Sequence, residues 1–192
     1  MIKAVIFDCF GVLAQDGWLQ FGEQHFHNEV ERALARDLLK QHDTGILSAA
    51  EFGRKVAAMA GVSPEEVEKV ISTHNTKNQP LLDYVAKLKS RAYKIGLLSN
   101  VGEDWLGHFL TTEERALFDD ILLSYKVGLT KPDPLIYMMS ADRLGVMTSE
   151  CVFVDDRKLC TDGALNVGMQ AILYESLESF VATIEPLLTT SI

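Results

Sequence analysis

The chain contains few cysteines and few prolines, and both shortages limit the kind of protein it can be. Its cysteines, Cys9, Cys151 and Cys160, are an odd number without paired spacing, so the sequence favours a reduced, cytoplasmic protein over a disulfide framework. Only 5 of the 192 residues are proline, and 47% are hydrophobic. This composition is typical of a globular protein and excludes a disordered or fibrous chain.

Basic residues are also scarce, which limits the partners of the protein. Lys and Arg number 18 against 27 Asp and Glu, which gives a formal net charge of −9. Such a charge repels nucleic acid and anionic membrane surfaces. The apolar N-terminal run is interrupted by Lys3 and Asp8 and is too short to span a bilayer. We therefore expect neither a nucleic-acid partner nor a membrane partner.

Short apolar runs alternate with segments of helical periodicity, a pattern that predicts an α/β protein with a five-stranded parallel sheet flanked by helices. The predicted strands are 4–7, 95–98, 121–123, 152–154 and 171–174. The predicted helices between and after them are 81–91, 134–144, 161–166 and 177–187. The last helix is expected to end at Pro186, because proline has no backbone N–H to continue the helical hydrogen bonds.

The gap between the first two predicted strands is longer than a crossover helix needs, and residues 14–80 show only helical patterning. We therefore predict that this stretch is an inserted, all-helical lobe. Two of its helix starts carry capping-box patterns, at Ser48 and at Ser63. A stripe of apolar residues with four-residue spacing is expected to face the core of the lobe. The stripe consists of Phe26, Val30, Leu34 and Leu38.

Polar side chains follow four of the five predicted strands. Because ligands of open parallel sheets bind beyond the carboxyl ends of the strands, these residues are candidates for a functional site. Alone, each of them is an ordinary turn, cap or surface residue, but together they indicate one cluster of titratable groups. They are Asp8, the pair Ser99 and Asn100, Lys131, and the pair Asp155 and Asp156.

The segments around these residues resemble the motifs of the haloacid dehalogenase-like (HAD) hydrolase superfamily, in the subgroup with a helical cap inserted after strand 1. The four matching segments are 6–13, 98–100, 131–134 and 153–157. Four such segments in the expected order, around an insertion of cap size, are a strong signal. The resemblance implies a Rossmann-like core of residues 1–13 and 81–192 and a cap of residues 14–80.

The resemblance also implies Mg²⁺ as a cofactor, held by Asp8, the backbone carbonyl of Phe10 and Asp156. A carboxylate such as Asp8 can attack phosphorus and form an aspartyl-phosphate that water then hydrolyses. The cation allows this attack, because two negative species do not approach each other unaided.

The remaining members of the set fit the same reaction. Ser99 and the amide of Asn100 would hydrogen-bond the phosphoryl oxygens, and Lys131 would supply a fixed positive charge for catalysis and phosphate binding. Asp155 would pair with Lys131 and orient it. We therefore expect a Mg²⁺-dependent phosphatase that acts on a small phosphorylated metabolite, as a monomer or a homodimer.

Two positions depart from the family pattern. Phe10 stands where phosphatases of the superfamily usually carry an aspartate that protonates the leaving oxygen, so we expect aryl and acyl phosphates to be better substrates than alkyl esters. Cys160 stands where relatives often have Asp or Asn near the metal. Dehalogenases of the family carry an aromatic residue at the position that Phe10 occupies here. A 2-haloacid dehalogenase and an impaired, ligand- or partner-binding relative are therefore alternatives to the phosphatase. Phosphonate hydrolysis, with Lys55 forming a Schiff base, is a remoter one.

Overall fold

A five-stranded parallel sheet organises the fold, as predicted. The structure is a computed structural model that describes residues 1–74, 76–104 and 106–189. The spatial order of the strands is β3-β2-β1-β4-β5, and each predicted strand lies within one residue of the observed one at both ends. The strands are β1 Ala4–Phe7, β2 Lys94–Ser99, β3 Asp120–Leu123, β4 Cys151–Asp155 and β5 Gln170–Leu173.

Eleven α-helices accompany the sheet in the described residues. Five of them lie between β1 and β2, and the first four of these are α1 Gly17–His25, α2 Glu29–Asp43, α3 Ala49–Ala60 and α4 Pro64–His74. The others are α5 Gln79–Ser90, α6 Leu106–Phe109, α7 Thr112–Arg115, α8 Ser124–Val127, α9 Pro134–Arg143, α10 Lys158–Asn166 and α11 Leu177–Thr189. None of the described helices is long and apolar enough to cross a membrane.

The sheet is buried on both faces, which explains why its strands are continuously apolar. On one face the side chains of β1, β2 and β4 pack with α5 and α11, through residues such as Leu82 and Phe180. On the other face they pack with α9 and α10, through residues such as Tyr137 and Ala164. The strands are therefore held rigidly, and their carboxyl ends present fixed positions to the loops that follow.

The helices α1 to α4 have a hydrophobic cluster of their own. Its buried members are Phe21, Phe26, Ala35, Phe52, Val56, Ala57 and Val67. The capping box predicted at Ser48 is present, since the Ser48 hydroxyl accepts from the Glu51 backbone N–H at 3.3 Å and the Glu51 carboxylate accepts from the Ser48 backbone N–H at 3.1 Å. Residue 75 of the predicted cap and residues 190–192 of the predicted core lie outside the described residues.

Two predictions were wrong. In the apolar stripe, Phe26 and Leu38 pack in the hydrophobic cluster of α1 to α4 as expected, but Val30 is 70% exposed and Leu34 is 54% exposed. A four-residue step advances about 40° beyond one helical turn, so the buried face of α2 runs through Ala35 and His42. The last helix continues to Thr189, three residues beyond Pro186. Proline in the last turn removes one hydrogen bond only, and the burial of Leu188 holds the helix end in place.

Candidate active site

The sheet register brings the candidate residues to one edge. Phe7 of β1 lies beside Leu97 of β2 and Val154 of β4, so the residues that follow these positions end near one another. The Asp8 backbone N–H donates to the Val154 carbonyl at 2.9 Å, which extends the ladder between β1 and β4 by one step. Asp8 therefore lies next to the end of β4, where Asp155 and Asp156 follow.

A buried lysine joins two of these carboxylates. The Lys131 ammonium lies 2.6 Å from Asp8 Oδ1 and 2.6 Å from Asp155 Oδ2, and the side chains are 2%, 8% and 0% exposed. The Asn100 side chain anchors the Lys131 backbone, accepting from its N–H at 2.9 Å and donating to its carbonyl at 3.1 Å. Asn100 thus positions the lysine, a contact that the sequence motif did not indicate.

Burial and the neighbouring charged side chains shift the pKa values of this cluster. Burial raises the pKa of Asp8 to about 7, Lys131 opposes the shift, and Asp155 adds to it. Burial lowers the pKa of Lys131, but the neighbouring Asp155 and Asp8 carboxylates outweigh it and raise that pKa above its usual value. The lysine is therefore charged. Because the carboxylates of the cluster outnumber its buried cations, the cluster favours the binding of an additional positive charge.

The acidic residues are close enough to share a cation. Carboxylate oxygens of Asp8, Asp155 and Asp156 all lie within 4.8 Å of one another. Both oxygens of Asp155 are already engaged, one by Lys131 and the other by the Arg157 backbone N–H at 2.9 Å. Asp156 Oδ1 is buried and has no hydrogen-bond partner in the described part of the chain. Because a buried, unpaired carboxylate oxygen is costly, Asp8 and Asp156 fit the role of ligands to a hard cation.

The loop after β1 is shaped around Asp156. Gly11 has a φ of +87°, and a Cβ added to it would overlap the Asp156 carboxylate. Only glycine therefore allows the loop that carries Phe10 to lie against this carboxylate. The Phe10 side chain is partly buried against the core. This close approach is consistent with a backbone ligand from Phe10 beside Asp156.

Three further residues of the matching segments or next to them are placed as follows. The Ser99 hydroxyl, at the end of β2, is buried without a hydrogen-bond partner among residues 1–74, 76–104 and 106–189. The Asp133 side chain accepts from the Leu135 backbone N–H at 2.9 Å and caps α9, the helix that begins after the Lys131 loop. Cys160 is fully buried in α10, and its carbonyl accepts from the Tyr137 hydroxyl at 2.8 Å.

Three further charged residues lie near this cluster, and the sequence assigned no role to them. They are Asp16, Asp43 and Arg157. Asp16 caps α1 by accepting from the Trp18 backbone N–H at 2.9 Å, and its charge acts on the solvent-exposed Arg157 and on Asp156. Asp43, at the end of α2, is buried and lies within electrostatic range of Arg157 and Lys131. No local pattern marks Asp43, because its position depends on how the inserted helices pack on the sheet.

Comparison with known proteins identifies the class. A model of the haloacid dehalogenase-like hydrolase family matches residues 2–159, and the chain belongs to this family of hydrolases. It is 28% identical over 173 residues to D-ribitol-5-phosphate phosphatase of Bacteroides thetaiotaomicron, a match that covers 81% of this chain and 84% of that protein.

Two further matches concern part of the sequence and the fold. The chain is 33% identical over 87 residues to (S)-2-haloacid dehalogenase 4A of Burkholderia cepacia, which covers 45% of this chain and 38% of that protein. Its fold is similar to that of a HAD family enzyme from Bacteroides thetaiotaomicron solved with magnesium and inorganic phosphate. That likeness has a TM-score of 0.74 at 23% identity and covers 94% of this chain and 99% of the other, so it shows the fold.

Proposed function

We propose that this protein is a Mg²⁺-dependent phosphatase that hydrolyses a small phosphorylated metabolite through an aspartyl-phosphate on Asp8. The observation that carries the proposal is the arrangement around Lys131. One buried lysine faces two carboxylates at 2.6 Å, and a third carboxylate, Asp156, keeps a buried oxygen unpaired within the described residues. The similarity to a sugar-alcohol phosphatase supports the same class of substrate.

Asp8, the Phe10 carbonyl and Asp156 would hold the cation in this proposal. Mg²⁺ bound there would offset the charge of the carboxylates and polarise a phosphoryl oxygen. The donor set fits a hard cation, because it consists of oxygen atoms only. The cation would also give the buried, unpaired oxygen of Asp156 a partner. Asp155 remains outside the ligand set, since Lys131 and the Arg157 backbone occupy its two oxygens.

The residues of the chain divide the work of phosphoryl transfer. Asp8 Oδ attacks phosphorus, and Lys131 compensates negative charge on the phosphoryl oxygens as the transfer proceeds. Ser99 donates its free hydroxyl proton to one of those oxygens, and the Asn100 backbone amide donates to another. Asp155 keeps Lys131 in place. In this proposal residues 14–80 act as a cap that excludes water and selects the substrate.

Dehalogenation of a 2-halo acid is the second candidate, because Phe10 matches the aromatic position of the dehalogenases and part of the chain is similar to one. The acidic pair Asp155 and Asp156 argues against it. A carboxylate substrate would be repelled by two adjacent acidic residues at the end of β4, whereas a cation would be attracted. We therefore favour phosphate chemistry.

The test is phosphate release from p-nitrophenyl phosphate, with Mg²⁺ and with a chelator. We expect turnover that requires Mg²⁺ and is abolished in Asp8→Asn. Asp142→Asn, which removes an exposed carboxylate on α9, is the matched control and should behave like the wild type. Halide release from 2-chloropropionate that persists in the chelator would instead establish the dehalogenase. Activity of neither kind would refute both and leave a binding role.

A further inference from the structure

The end of α2 is fastened to the sheet edge that carries the candidate active site. The buried Ser124 hydroxyl, directly after β3, donates to the Asp43 carbonyl at 2.6 Å and accepts from the Val101 backbone N–H at 2.8 Å. A Cβ on Gly102 would overlap the His42 ring, so this loop and the helix end are in close contact. The end of α2 thus lies against the segments that follow β2 and β3, the first of which begins after Ser99 and the second of which leads through α8 to Lys131.

This arrangement brings the acidic side chain of Asp43 close to the sheet edge that carries the candidate active site. It is 8% exposed, its carboxylate makes no ion pair within the described ranges, and its oxygens are not among the fully buried unpaired atoms of these ranges, so the carboxylate keeps some access to solvent. Lys131 and Arg157 are close enough for their charges to act on it. A buried acid without a partner is costly for stability, and groups of this kind are found at functional sites.

We propose that Asp43 is the proton donor for the leaving oxygen, in place of the aspartate that Phe10 replaces. The inference rests on the proposed function, since it assigns a residue to that reaction. It changes the expectation drawn from Phe10 alone, because an enzyme with a working acid can also hydrolyse esters with poor leaving groups. The acid would come from α2 rather than from the loop after β1.

The proton and electron pairs balance over the two steps. In the first step an Asp8 oxygen forms a bond to phosphorus, the bond from phosphorus to the leaving oxygen breaks, and that oxygen takes the proton of Asp43 with the released electron pair. In the second step the Asp43 carboxylate takes a proton from water as the water oxygen bonds to phosphorus. The bond between Asp8 and phosphorus then breaks, which restores both carboxyl groups.

The charged groups around Asp43 suit a proton donor. Burial raises the pKa of Asp43 to about 7, Arg157 and Lys131 lower it, and Asp16 raises it. On the elements packed against the end of α2, Lys126 pairs with Asp104 at 3.3 Å, outside this group. Asp43 is therefore protonated for a substantial fraction of the time at neutral pH, which a general acid requires.

The test compares two substrates of similar shape that differ in leaving group, phenyl phosphate and p-nitrophenyl phosphate, in Mg²⁺. The readout is kcat/KM, which reports the first step. Asp43→Asn should lower it about a hundredfold or more for phenyl phosphate and only a few fold for p-nitrophenyl phosphate, whose leaving group departs without a proton. The decline of the wild-type rate on phenyl phosphate at alkaline pH should be lost in the variant.

Asp37→Asn, an exposed change on the same helix, is the control and should leave both rates unchanged. Asp43→Glu, which keeps an acid, should retain more of the kcat/KM on phenyl phosphate than Asp43→Asn does. Equal losses on both substrates, or no loss on either, would overturn the role of Asp43 while leaving the phosphatase intact. A wild-type protein that hydrolyses neither substrate would overturn the proposed function, and the inference with it.

Discussion

Removing the charge of Asp43 should stabilise the protein at alkaline pH, independently of any activity. Burial raises the pKa of this carboxyl from 3.8 to about 7, so the folded chain binds the proton more tightly than the unfolded chain does. Stability from this group is therefore complete below about pH 4 and is lost as the pH rises through 7. Above that pH the folded protein carries an ionised, buried carboxylate.

The magnitude follows from the same values. A tenfold change in a protonation equilibrium corresponds to about 1.4 kcal/mol, so ionised Asp43 costs on the order of 4 kcal/mol. The amide of Asp43→Asn must also be buried, which offsets part of the gain. We expect a net stabilisation of about 2 kcal/mol at pH 8, or a rise in Tm of roughly 4–8 °C for a domain of this size.

The assay is thermal unfolding of the wild type and Asp43→Asn from pH 4.5 to pH 8, in chelator so that no cation binds the other carboxylates. The variant should melt slightly below the wild type at pH 4.5, where only the cost of burying the amide remains, and above it at pH 8. Asp37→Asn, on the exposed face of α2, should show no such trend. A gap that is constant over the whole range, or a wild type that is the more stable protein at pH 8, would refute the reasoning.

Two further predictions concern the backbone around the site. Gly11→Ala should abolish Mg²⁺-dependent thermal stabilisation, because the new Cβ overlaps the Asp156 carboxylate and the φ of +87° is strained for alanine; stabilisation equal to that of the wild type would contradict this. Ser124→Ala should lower the free energy of unfolding by about 1–3 kcal/mol, because it leaves the Asp43 carbonyl and the Val101 N–H buried without partners. Chemical denaturation would measure it, and a loss below about 0.5 kcal/mol would show that water replaces the hydroxyl.

Much of the fold could be predicted from the sequence because its signals are local. Continuous apolar runs identify buried parallel strands, and polar residues directly after them identify the edge where ligands bind. Asp8, Ser99 and Asp155 were found in this way, although the chain places them up to 147 residues apart by number, whereas Lys131, which lies beyond α8, was supported by the family motif. The capping box at Ser48 is equally local, because its two partners are three residues apart.

Other features depended on tertiary packing and could not be predicted. The direction of the buried face of α2 is set by its neighbours, so Val30 and Leu34 point to solvent despite their apolar spacing. The pairing of Lys131 with Asp155 was expected from the family resemblance, but its burial and its second ion pair, with Asp8, depend on the strand order, which no local pattern specifies. Asp43 looks like an ordinary residue at a helix end, and it becomes a buried, unpartnered acid beside the site only because Ser124, 81 residues later, fastens the end of α2 to the sheet. Local periodicity determines where helices and strands form, whereas the burial and pairing of charged groups arise from contacts between distant segments.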